Sequence, residues 1–129
     1  MKIGELIQSG DFKGEKHVPV IEAPDKVKAG EQFFAKVCVG KEIAHPNKPE
    51  HHIAWIQLFF KPYNAKFAVE VAKFDYTAHA DTMTDIPGPV IAEPASCVSM
   101  KLTTSGILIA QSYCNIHGLW ETSRKIEVE

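Results

Sequence analysis

Three short stretches hold the residues able to do chemistry. "GEKHVPV" places Glu15 and His17 two apart, so in extended chain both side chains point one way and Lys16 the other. "AHPNKPEHH" supplies His45 and His51, with His52 beside the second. "CNIHG" supplies Cys114 and His117, within reach of one ion across a tight turn. Six residues fully extended cover roughly 20 Å, so His45 and His51 meet one ion only if their loop folds back. Pro46, Asn47 and Pro49 are residue types that turn a chain. Each stretch alone is ordinary: a strand-end histidine, a solvated loop, a small buried thiol. Together they bring one glutamate, four histidines and one cysteine to strand ends, which points to a metal site.

The donor set narrows the metal. Four imidazoles and a thiolate are too many for structural zinc, which closes at four ligands. Blue copper also uses a late Cys and His with an earlier His, but its weak axial Met follows the Cys. Here Met1, Met83 and Met100 all precede Cys114. A Cys/His hydrolase would employ Cys114 and one base and leave the other imidazoles unused. Five nitrogen and sulfur donors suit iron with four equatorial nitrogens and an axial sulfur, the opposite position being open or weakly capped by Glu15. A cupredoxin-like electron-transfer protein and a zinc-binding β-sandwich module stay open as alternatives.

Short strands must position these residues. "VPVIEA", "EQFFAKVCV", "HIAWIQLFF", "FAVEVAKFDYTA", "PASCVSMKL", "GILIAQSY" and "SRKIEVE" are rich in β-branched and aromatic residues, with Gly and Pro between them. In the fourth, Phe67, Val69 and Val71 alternate with Ala68, Glu70 and Ala72, the period of a half-buried strand. This predicts an all-β chain, a seven-stranded immunoglobulin-like antiparallel β-sandwich or barrel, forming one domain over residues 1–129. Only "IGELIQSG" reads as a brief helix, with Ile3, Leu6 and Ile7 on one face. Cys38 and Cys97 read as buried strand residues, His52 and His79 as packing or hydrogen-bonding residues, and Trp55 and Trp120 as core or site wall.

Composition excludes several classes. The 129 residues are 45% hydrophobic and 23% charged, with a net charge of −2. No block of like charge supports a nucleic-acid or anionic-membrane role. No apolar run reaches membrane-span length, and the N-terminus has no hydrophobic signal core. Three cysteines are an odd, sparse set, which favours a reducing, cytoplasmic setting over a disulfide framework.

The segments "SGDFKGEKHVPVIE", "VGKEIAHPNKPEHHI", "FDYTAHA" and "SYCNIHGLWE" closely resemble the superoxide reductases in their single-iron form, the neelaredoxins. The resemblance runs from about residue 5 to 128. It implies a mononuclear non-haem iron with His17, His45, His51 and His117 as equatorial ligands and Cys114 as axial thiolate. It further implies that Glu15 binds the sixth position of the resting ferric ion and that Lys16 assists superoxide. Lys48, in the "HPNKPEHH" loop, reads first as a solvated surface lysine and second as a charge adding to the field of Lys16. The implied reaction is one-electron, two-proton reduction of superoxide to hydrogen peroxide. Rubredoxin, a small iron–sulfur protein, would return the electron, and a homo-oligomer, commonly a tetramer, is implied too. Because Glu15 and Lys16 alternate in direction, a small movement hinged at Gly14 is expected to exchange carboxylate for ammonium at the iron. Two-iron relatives carry a further four-cysteine module; no C-x-x-C occurs here, so one iron is expected. Relatives commonly have Pro where Ala44 stands and Gly where Ala80 follows His79.

Overall fold

A computed structural model describes residues 1–81 and 88–129. Its strands are β1 (Pro19–Glu22), β2 (Lys26–Val27), β3 (Phe33–Val39), β4 (Ile53–Pro62), β5 (Val69–Asp75), β6 (Ala95–Met100), β7 (Gly106–Cys114) and β8 (Gly118–Val128). They form a three-stranded sheet in the order β1-β3-β6 and a five-stranded sheet in the order β2-β8-β7-β4-β5. Among the described residues, no helix is long and apolar enough to cross a membrane.

The core is built by alternation. Ala35 and Val37 of β3 face Ile56 and Leu58 of β4, Leu108 and Ala110 of β7 and Ile126 of β8 in one cluster, all without solvent exposure. In β7 every second residue is buried, so Gly106, Leu108, Ala110, Ser112 and Cys114 share the inner face. Period-two geometry therefore carries Cys114 inward at the end of the row. β4 and β7 pair antiparallel from Pro62↔Gly106 to Ile53↔Cys114, with a register shift between Ile53 and Trp55. That irregularity lies beside Cys114, a common place for a bulge that re-aims side chains near a site.

Several expectations need correction. Among the described residues there are eight strands where seven are expected, because the two-residue β2 pairs with the end of β8, and it does so in parallel. The expected half-buried Phe67 and Val69 are exposed; β5 is an edge strand, and a bulge opposite Leu58/Phe59 disturbs its alternation. The N-terminal helix is a single 3-10 turn, Ile3–Glu5, with Ile3 and Leu6 exposed rather than packed. Cys97 shares the outer face of β6 with Ala95 and Ser99 and is exposed, whereas Cys38 is buried. Cys38 pairs with Ala95 and Cys97 with Lys36, so the thiols lie on a diagonal. Diagonal positions are about 7–8 Å apart, beyond ordinary disulfide reach, and both thiols are free. Trp55 is only half-buried.

Candidate metal centre

The hairpin between β7 and β8 sets the first two residues. Cys114 pairs with Gly118 across a three-residue turn, Asn115 to His117. Gly118 has φ +79°, the left-handed residue that closes such hairpins with least strain. The turn brings the His117 amide to donate to Cys114 Sγ at 3.4 Å, with His117 Nδ1 at 3.7 Å from the same sulfur. Cys114 is fully buried and His117 is exposed, so the centre has an inner floor and an outer rim.

The His45–His51 loop folds back as its turn residues require. Lys48 and His51 exchange both backbone hydrogen bonds at 3.0 Å. At its entry Gly40 has φ +87°, and a Cβ there would stand 2.9 Å from the His45 nitrogen. The loop is laced to the hairpin by Asn115: its Nδ2 donates to the Glu50 carbonyl at 3.0 Å and its Oδ1 accepts from the His52 amide at 2.8 Å.

His17 enters just before β1 and is buried. Its carbonyl accepts from the buried Ser112 hydroxyl at 3.2 Å. Its ring stacks on Trp120 at 5.0 Å, and the Trp120 indole N–H donates to the His117 carbonyl at 3.1 Å. Trp120 thus braces two candidate ligands from opposite ends of the sequence.

Four imidazoles form a closed ring. Successive centroid separations are 4.9 Å (His17–His45), 4.6 Å (His45–His51), 5.1 Å (His51–His117) and 4.6 Å (His117–His17), with the His17–His51 diagonal at 6.2 Å. Ligand atoms of His17, His45, His51 and Cys114 all lie within 4.8 Å of one another. His17 Nε2 and His117 Nδ1 are 3.0 Å apart. Two nitrogens about 2.1 Å from a common first-row ion and at right angles to each other stand roughly that far apart.

Proton placement agrees with a cation at the middle. Glu15 Oε1 accepts from His17 Nδ1 at 2.6 Å and from the His17 amide at 3.0 Å, leaving the Nε2 lone pair free. His45 Nδ1 donates to the Pro46 carbonyl at 2.6 Å, freeing its Nε2 likewise. The Nε2 atoms of His45 and His51 are buried with no hydrogen-bond partner, a rare state that an ion would relieve. Burial pushes His45 down to about 4 and lowers His51, with the Lys16 charge adding to both. Both rings are therefore neutral and able to bind metal at pH 7.

The sequence-derived residues do not all converge. His17, His45, His51, His117 and Cys114 do. Glu15 sits on the outer nitrogen of His17, whose bonds hold its carboxyl below the usual carboxylate range; in this conformation it supports a ligand and does not face the ring. Lys16 is half-buried and Lys48 exposed. His52 faces away and stacks on His79 at 3.7 Å. Ser112 and Asn115 were missed as supporting residues: a serine in an apolar alternation and an asparagine in a hairpin are the faint signals.

Comparison with known proteins agrees with this geometry. A protein of Thermotoga maritima described as a putative superoxide reductase is 52% identical over 130 residues, covering 100% of this chain and 99% of that one. Neelaredoxin of Megalodesulfovibrio gigas is 46% identical across 100% of both. The crystal structure of the Thermotoga protein superposes with a TM-score of 0.96, covering 100% of this chain and 98% of that chain at 52% identity. Reduced superoxide reductase from Archaeoglobus fulgidus gives 0.85 at 45% identity, covering 95% and 98%. The desulfoferrodoxin family model matches residues 9–123, and the chain belongs to that family.

Proposed function

We propose that the chain reduces superoxide by one electron to hydrogen peroxide, consuming two protons, at an iron held by His17, His45, His51, His117 and Cys114. One observation carries the reading: a ring of four imidazoles beside a fully buried cysteine, two of whose nitrogens are buried without partners. The superoxide reductases among its relatives supply the substrate class. When bound, iron would supply the one-electron couple. The chain's own residues prepare the site. Glu15 keeps the His17 proton on Nδ1, and Pro46 does the same for His45. The His117 amide donates to the Cys114 sulfur, which tempers thiolate charge and so tunes its donation. The ammonium of Lys16 raises the positive potential over His45 and His51 and attracts a small anion. With His117 on the rim, the substrate needs no deep channel.

To join the residues that would hold iron, Glu15 would give up its hydrogen bonds to the His17 ring and amide. We assign that exchange to the ferric state, with Gly14 as hinge. We also assign a rubredoxin-like protein as electron donor, the cytoplasm as compartment and a homo-oligomer as working form.

Anaerobic loading with ferrous iron tests the reading. About one iron per chain, a visible thiolate-to-ferric band that bleaches on reduction, and peroxide without dioxygen after a superoxide pulse are expected. Dioxygen released with the peroxide would make the chain a dismutase. Preferential retention of copper or zinc would favour a cupredoxin-like or structural role.

A further inference from the structure

His79 lies outside the ring of ligands, yet it is 5% exposed and every polar atom of its imidazole is engaged. Its Nδ1 is 2.8 Å from Asn47 Oδ1 and its Nε2 is 2.7 Å from the Tyr76 carbonyl oxygen. The Asn47 amide has its orientation fixed, because Nδ2 donates to the Ala92 carbonyl at 2.8 Å. Both of its partners are therefore oxygens, an amide carbonyl and a main-chain carbonyl. The ring also lies flat on His52, with centroids 3.7 Å apart and planes at 8°. His52 in turn places its Nδ1 3.0 Å from the Lys48 carbonyl.

We infer that His79 is a positioning residue for the candidate metal loop, gripping it at both ends: through Asn47, two residues after His45, and through His52, next to His51. The inference rests on the reading of that loop as a metal-binding loop. Tyr76, just beyond β5, gives the clamp a fixed base, since its amide donates to the Ala54 carbonyl at 2.8 Å and its hydroxyl pairs with Ser96 at 2.7 Å. The backbone strains to keep His79 there. Ala80 is the one non-glycine among the described residues with positive φ, 63°. Such outliers persist where the surroundings over-determine a position. Residues that orient ligands without binding metal set metal affinity by about 10- to 100-fold; one step further out, the lower end applies.

His79→Phe tests this, because it keeps the ring stack on His52 and removes both hydrogen bonds. The expected result is loss of ferric ion to a chelator about tenfold faster than in the parent chain, with a shifted thiolate-to-ferric band. If this variant kept the parent's release rate and band, His79 would be reduced to core filling and the proposal overturned. Asn47→Ala, which leaves the core intact, is the second variant: it should accelerate release in the same direction, and an unchanged rate would overturn the proposal equally. A parent chain that takes up no iron would instead sink the functional reading above.

Discussion

The Asn115–His117 turn holds two candidate ligands with three residues of backbone, whereas the His45–His51 loop holds its two with a web of borrowed side chains. The turn needs only the β7–β8 ladder, Gly118 at φ +79° and the His117 amide on the Cys114 sulfur. The loop needs Asn115 from the hairpin, and His79 behind Asn47 and His52. A hairpin turn is stiff because its register is fixed on both sides. A long loop becomes equally stiff only where its polar groups find partners elsewhere in the fold. The contrast teaches that one centre can combine a rigid anchor with a tunable wall.

The most severe test of that contrast is Cys114→Ser. Removing the thiolate from the anchor should abolish the visible charge-transfer band and most iron retention. Near-parental iron content by elemental analysis would show that the four imidazoles hold the ion without the thiolate. Acid should act on the other wall. Burial holds His45 at about 4 and His51 below its ordinary value, near 6.5. In the metal-free chain both stay neutral where the unfolded chain takes up protons. The contribution of His45 to stability is thus complete above about pH 6.5 and is lost as pH falls toward about 4, and His51 adds a loss of the same sign. Amide exchange in that window should quicken in the loop before the hairpin; the reverse order would break the comparison.

Asn115→Ala cuts the lace between the two walls and should cost about 1–3 kcal/mol in chemical denaturation. A cost near zero would mean that hairpin and loop are independent. The smallest effects make a pair of opposite sign. Gly118→Ala forces alanine into left-handed backbone and should cost about 1 kcal/mol, although a Cβ there meets no atom within 4 Å. Ala80→Gly relieves the same conformation and should gain up to about 1 kcal/mol. Thermal midpoints moving together would refute the backbone account.

Much of the anchor was legible in the sequence. "GILIAQSYC" alternates toward an inward Cys114, and "NIHG" ends on the residue type a tight hairpin wants. The loop announced its need to fold back through Pro46, Asn47 and Pro49, but not what would hold it. His79 follows Asn47 by 32 residues, and no local pattern links an imidazole to an amide at that distance. The outward turn of Cys97 was equally hidden. "ASCVSM" alternates small residues with Val98 and Met100, and only packing against the second sheet decides which set turns inward.

His17 and His117 stand 100 residues apart in sequence yet meet at 3.0 Å. An ion shared between them would cross-link nearly the whole polypeptide. By the chain-entropy argument, closing a loop of that length removes about 4.7 kcal/mol of denatured-state freedom when the link is covalent, and a tightly held ion approaches the same effect. Metal occupancy then reports on the completeness of folding: a chain whose last hairpin has not docked offers no thiolate and no fourth imidazole, so capture comes late and then acts as a latch against unfolding.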